Sequence, residues 1–163
     1  MPRMPAVHRR ASIAHGGSAV HFPASQHLAP AIRFEPLEPA LNISDMRVLV
    51  VEDDADSAEM MRLLLVGCGY HVTVAGTSQE GIAAARRVEP HIVLCDIGLP
   101  DSDGYGVGSV LRQSGCTRTA RLIAVTAHGE TKDRLRALAA GFDEHLVKPV
   151  DPSVLLRQLH VTH

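Results

Sequence analysis

Five short apolar runs, at residues 47–51, 71–75, 91–95, 121–125 and 144–147, each lead into a stretch with helical spacing. The third run holds Ile92, Val93, Leu94 and Cys95 in succession. Unbroken apolar runs of this length suit strands covered on both faces, as in parallel sheets. The stretches between them predict helices over 55–68, 78–88, 104–113 and 130–140. A last helix starts at Pro152 and runs nearly to the C-terminus. Met60, Met61, Leu64 and Leu65 have the spacing of one buried helix face. Ser78 and Asp151 are placed to cap helices, Gly69 and Gly141 to close them. Gly106 and Gly108 lie inside the third helix, each at a cost of about 1 kcal/mol relative to alanine, and predict fraying at its start.

Five β-α units imply a parallel sheet with helices on both faces. Right-handed crossovers leave few topologies. The expected fold is an α/β, flavodoxin-like, doubly wound five-stranded parallel sheet in the order 2-1-3-4-5.

Residues 1–45 have a different texture. They carry six prolines, no acid before Glu35 and no persistent period. They are expected to form a disordered tail or linker, with 46–163 as the folded domain. Met46 stands directly before the first strand and offers an alternative start. His8, His15, His21 and His27 are spaced more widely than the clustered ligands of metal sites.

Composition narrows the function classes. The chain has 163 residues, which suits one domain. It has no Trp and only five Phe or Tyr, so its core must be aliphatic. A net charge of -2 gives no general attraction to nucleic acid or anionic membrane. No run approaches the roughly 18 apolar residues of a membrane span. Three cysteines without a CxxC pair read as reduced thiols in a cytoplasmic protein.

In the 2-1-3-4-5 order the carboxyl ends of strands 1, 3, 4 and 5 are neighbours, and ligands bind at that edge. Strand one delivers Glu52 and Asp53, strand three Asp96, strand four Thr126, and strand five Lys148. Carboxylates held close repel one another and call for a divalent cation. Oxygen donors with room for water point to Mg2+, with Asp53, Asp96 and the Gly98 carbonyl as ligands. A carboxylate flanked by a cation, an ammonium and a hydroxyl is equipped for phosphoryl transfer. Asp96 would attack in line, Lys148 would pair with the phosphoryl group and Thr126 would donate a hydrogen bond to it. The turn at 101–104 looks like half a calcium loop, but Leu111 and Arg112 occupy the region where an EF-hand needs its acid.

Four blocks at strand ends carry a more specific signal. They are Val-Val-Glu-Asp-Asp at 50–54, Cys-Asp-Ile-Gly-Leu-Pro-Asp-Ser-Asp-Gly at 95–104, Ala-Val-Thr-Ala at 124–127 and Val-Lys-Pro at 147–149. With them, residues 46–160 resemble the receiver domain of two-component response regulators. The stretch Gly-Phe-Asp-Glu-His-Leu-Val-Lys-Pro-Val-Asp-Pro at 141–152 is most similar to receivers attached to hybrid sensor kinases.

The resemblance implies that Asp96 takes phosphate from a sensor histidine kinase or phosphotransfer protein. It implies that Asp53 binds Mg2+ directly, that Glu52 helps through water, and that Asp54 starts the first helix. It implies a cis Lys148–Pro149 bond and a switch formed by Thr126 and the residue at 145. Many receivers carry Tyr or Phe there; here it is His145. Gly98 brings no side chain over the phosphate, a place that His128 can fill. The module would be no enzyme beyond its own Mg2+-dependent phosphorylation and dephosphorylation. About a dozen residues after Pro149 leave room for the last helix only. Signalling through a downstream protein, without a nucleic-acid-binding output domain, is therefore expected. The alternative is an aspartate-nucleophile phosphatase-like enzyme. It would want an acid two residues after the nucleophile, where Gly98 stands.

Overall fold

The computed structural model describes residues 42–160. The expectations for 1–41, including the four histidines there, lie outside the described residues. Five parallel strands pair in the order β2-β1-β3-β4-β5, as expected. They are β1 (Arg47–Val51), β2 (His71–Ala75), β3 (Ile92–Asp96), β4 (Arg121–Thr126) and β5 (Glu144–Val147). They alternate with α1 (Ala55–Gly67), α2 (Ser78–Val88), α3 (Gly104–Gln113), α4 (Thr131–Ala139) and α5 (Pro152–His160).

Side chains alternate between two apolar layers, as a pleated sheet requires. Leu49, Val51, Val93, Cys95, Leu122 and Ala124 pack with residues of α2, α3 and α4. Val48, Val50, Ile92, Leu94 and Ile123 pack with Leu65 of α1 and with Leu155 and Leu159 of α5. β3 sits centrally and is buried at all five positions.

The strands that matter for chemistry run one residue further than the apolar pattern suggests. Asp96 pairs with Val125, and Thr126 pairs with Val147. Ile97 N then donates to Val125 O at 2.8 Å, continuing the ladder past Asp96. Both residues are thus held by the sheet rather than by loops.

Local chemistry sets the helix ends. Asp54 Oδ1 accepts from Ser57 N at 2.8 Å and caps α1; Asp151 Oδ1 accepts from Ser153 N at 2.7 Å and caps α5. The cap of α2 is Thr77, which accepts from Glu80 N at 3.2 Å, and not Ser78. Ser78 is the first helical residue, and its N–H donates to Asp101 at 3.0 Å. Asp101 therefore serves α2 from the β3–α3 loop. The backbone bond from Ser78 holds its carboxyl below the usual carboxylate range.

The expected buried face of α1 needs a correction at Met60, which is 70% exposed. Leu63 and Val66 are exposed as well, while Ala58 and Leu65 face the sheet. The run Met-Met-Arg-Leu-Leu-Leu-Val is apolar on nearly every side, so spacing alone could not choose the face.

The glycines of α3 also differ from their sequence reading. A Cβ on Gly104 would stand 2.5 Å from the carbonyl oxygen of Asp96. A Cβ on Gly108 would stand 2.4 Å from Cε2 of Phe142, a buried ring. These glycines admit close packing. The start of α3 is pinned, not frayed: Asp103 Oδ1 accepts from Tyr105 N at 3.1 Å, and Gly104 N donates to Ile97 O at 3.2 Å. Gly106 is exposed and meets nothing within 4 Å. Urea denaturation should therefore separate two substitutions of equal helix propensity. Gly106→Ala should stabilise the protein by roughly 0.5–1 kcal/mol, and Gly108→Ala should destabilise it by about 1–3 kcal/mol.

Candidate functional site

The carboxyl edge of the sheet gathers one polar group from each of β1, β3, β4 and β5. Asp96 ends β3 at 7% exposure, and Glu52 follows β1 at 2%. Lys148 follows β5, and its N–H donates to Thr126 O at 2.8 Å, fixing where its side chain departs. The Lys148–Pro149 bond is cis, as expected. Lys148 Nζ lies 2.6 Å from Asp96 Oδ2 and 2.9 Å from Glu52 Oε1. Gly98 N donates to the other oxygen of Asp96 at 2.7 Å. Both oxygens of Asp96 are thus held by donors.

Thr126 is buried, and its Oγ1 accepts from His128 N at 3.1 Å. That bond uses a lone pair and leaves the hydroxyl proton for another acceptor. Thr126, His128 and Lys148 line one cleft with Asp96, of about 640 Å³. The cleft continues outward to Asp103, Tyr105 and Arg136.

Asp53 is exposed beside this group. One carboxyl oxygen from each of Glu52, Asp53 and Asp96 lies within 4.8 Å of the others. Burial pushes the Glu52 carboxyl above its usual range, with the Lys148 hydrogen bond offsetting part of the rise. Burial alone would lower the Lys148 ammonium, but its bonds to Asp96 and Glu52 hold it above its ordinary value. The donors are all oxygen, and three carboxylates face a single ammonium. That chemistry fits a hard divalent cation such as Mg2+.

The remaining candidates fall elsewhere. His145 lies on β5 opposite Ala124, half-buried, with Nε2 buried and without a hydrogen-bond partner among the described residues. It does not line the cleft. Asp101 and Asp103, the acids of the apparent calcium loop, are taken up elsewhere: Asp101 accepts from Ser78 N at the start of α2, and Asp103 caps α3. Burial pushes the Cys95 thiol up, which removes it as a reactive thiolate. Arg136 was not legible as a cleft residue, because the sequence gives no sign that α4 leans over the β3–α3 loop.

A doubly wound sheet with acids, a hydroxyl and an ammonium converging at its switch point defines a class of α/β signalling module. The profile of the response regulator receiver domain matches residues 48–160, and the chain belongs to that family. It is 36% identical over 115 residues to a 14.6 kDa protein from the sodA1 3′ region of Leptolyngbya boryana, covering 71% of this chain and 88% of that one. It is 36% identical over 114 residues to the DNA-binding response regulator MtrA of Mycobacterium tuberculosis (strain ATCC 25618 / H37Rv), covering 69% of this chain but only 48% of MtrA. The chain thus spans about half the length of that relative. Among solved structures it is similar to the receiver domain of the sensor histidine kinase PA1611 from Pseudomonas aeruginosa PAO1, which has a magnesium ion in its active-site cleft. The match has a TM-score of 0.65 with 31% identity, and covers 70% of this chain and 93% of that one. Among the described residues no helix is long and apolar enough to cross a membrane.

The raised Glu52 carboxyl gives a pH prediction. A carboxyl raised on folding favours the folded state while protonated. That contribution is present below the unfolded value, 4.5, and is lost as pH rises through the folded value. In chelator, thermal unfolding should find Glu52→Gln no more stable than wild type below pH 4.5. The variant should gain over wild type as pH rises to neutrality.

Proposed function

We propose that Asp96 is the phosphoacceptor of a two-component phosphorelay, charged by a phosphohistidine of a sensor histidine kinase or phosphotransfer protein. The observation that carries this reading is the Lys148 ammonium bridging Asp96 and Glu52 at the carboxyl edge of the sheet. An oxygen of Asp96 forms a bond to phosphorus, the phosphorus–nitrogen bond to the donor imidazole breaks, and the imidazole leaves. Lys148 moves from the carboxylates toward the phosphoryl oxygens, and Thr126 donates its free proton to one of them. Asp53, Asp96 and the Gly98 carbonyl would hold Mg2+, with Glu52 acting through water. The ion would offset the charge of the acids and of the transferring group.

Thr126 and His145 form the switch on this reading, and they share one face of the sheet by their registers with Val147 and Ala124. His128, exposed at the cleft, takes the place over the phosphate that Gly98 leaves open. The charged module acts on a downstream protein, in the cytoplasm where ATP-dependent kinases operate. No acid stands two residues after Asp96, so the aspartate-nucleophile phosphatase reading lacks its proton donor.

Acetyl phosphate with Mg2+ provides the test. Intact-mass analysis should find a single added phosphoryl group on wild type and none on Asp96→Asn. Equal labelling of the two would contradict the assignment.

A further inference from the structure

The two sides of the proposed Mg2+ site come from different elements. Glu52 and Asp53 follow β1, whereas Gly98 lies in the loop between β3 and α3. The β1–β3 ladder ends at Val51 and Cys95, before either side is reached. The spacing between the two sides therefore needs a second connection.

The start of α2 touches both. Gly81 packs so closely on Val51 that a Cβ there would stand 2.8 Å from Val51 Cγ2. Just ahead of the helix, Glu52 N donates to Ala75 O at 3.0 Å. Those contacts seat α2 on the end of β1. Its first turn then holds the β3–α3 loop. Asp101 Oδ1 accepts from Ser78 N at 3.0 Å, and Oδ2 accepts from Gln79 N at 3.3 Å. Ser102 Oγ donates to the buried Ser78 Oγ at 2.6 Å.

α2 has a capping box of its own. Thr77 accepts from Glu80 N at 3.2 Å, and Glu80 Oε2 accepts from Gly76 N at 2.9 Å. Asp101 is therefore not what starts the helix; its bonds add a tie to the loop. The loop's other ion-paired acid, Asp103, reaches Arg136 of α4 and not β1. Between Gly98 and Asp101 stand Leu99, buried in the core, and Pro100, whose ring fixes φ. A hold at Asp101 is thus passed to Gly98 along a short, stiff segment.

We propose that Asp101 is a positioning residue for metal binding. It fixes the β3–α3 loop to α2, and through α2 to β1, so that the Gly98 carbonyl keeps a set place relative to Asp53 and Asp96. This deepens the metal reading given above and rests on it. A ligand held in place before the ion arrives binds it more tightly than one that must be ordered on binding.

The test titrates the full chain with Mn2+, which takes the same oxygen donors, and reads free Mn2+ by electron paramagnetic resonance, with no phosphodonor present. Asp101→Ala should weaken Mn2+ binding about fivefold, the factor that loss of a helix-end contact yields. Asp101→Asn keeps an acceptor for Ser78 N and should stay within about twofold of wild type. Ser102→Ala cuts the loop's second bond without uncovering a helix N–H, and should weaken binding about threefold. Thr77→Ala is the control: it removes a cap of α2 without touching the loop. It should lower the unfolding temperature, as Asp101→Ala does, yet leave Mn2+ affinity unchanged. Wild-type affinity in both Asp101→Ala and Ser102→Ala overturns the positioning role, as does equal weakening in Thr77→Ala and Asp101→Ala. A wild type that binds no Mn2+, or binds it as well after Asp53→Asn, overturns the metal reading itself.

Discussion

The site depends on one ammonium among three carboxylates. Lys148 lies within hydrogen-bond distance of Asp96 and Glu52, which the sheet holds side by side and nearly out of water. Without that charge, two buried carboxylates would face each other in a low dielectric, a costly arrangement. The same lysine makes the site responsive. It is matched to carboxylates in the uncharged state and is free to move to phosphoryl oxygens on the proposed reading. Asp53, at the exposed side of the cluster, leaves room for a cation to complete the balance.

The fold turns this charge arrangement into a fixed geometry. Asp96 and Thr126 are the last ladder residues of adjacent strands, so their backbones cannot drift apart without breaking sheet hydrogen bonds. Lys148 is tied to Thr126 through its own N–H. On the other side, α3 is pressed against the Asp96 carbonyl through Gly104, and Asp103 links that helix start to α4. Asp96 therefore sits beside the start of α3, which Asp103 ties to α4, and a change there has few ways to remain local.

Much of this was legible in the sequence. Apolar runs ending in acids gave the strands, their order and the residues at the carboxyl edge, because burial and strand periodicity act on short stretches of chain. Receiver-like blocks gave the cis bond before Pro149 and the place of Asp54 at the start of α1. What escaped was what depends on packing between elements. Met60 could not be placed because α1 is apolar almost all round. Gly108 read as a cost to its helix until Phe142 was seen against it. Thr77 and Ser78 are both good caps, and only the bond from Ser78 N to Asp101 separates their roles. Arg136 carries no local signature, since its partners lie 33 and 31 residues away in sequence at Asp103 and Tyr105.

The central claim is that one residue, Asp96, carries the phosphoryl group as an acyl phosphate. Borohydride reduces an acyl phosphate to an alcohol and so converts the labelled aspartate to homoserine. Peptide sequencing after phosphorylation and reduction should find homoserine at position 96. Homoserine at position 53, or 2-amino-5-hydroxypentanoic acid at position 52, in its place, or an unreduced chain that still carries phosphate, would contradict the account.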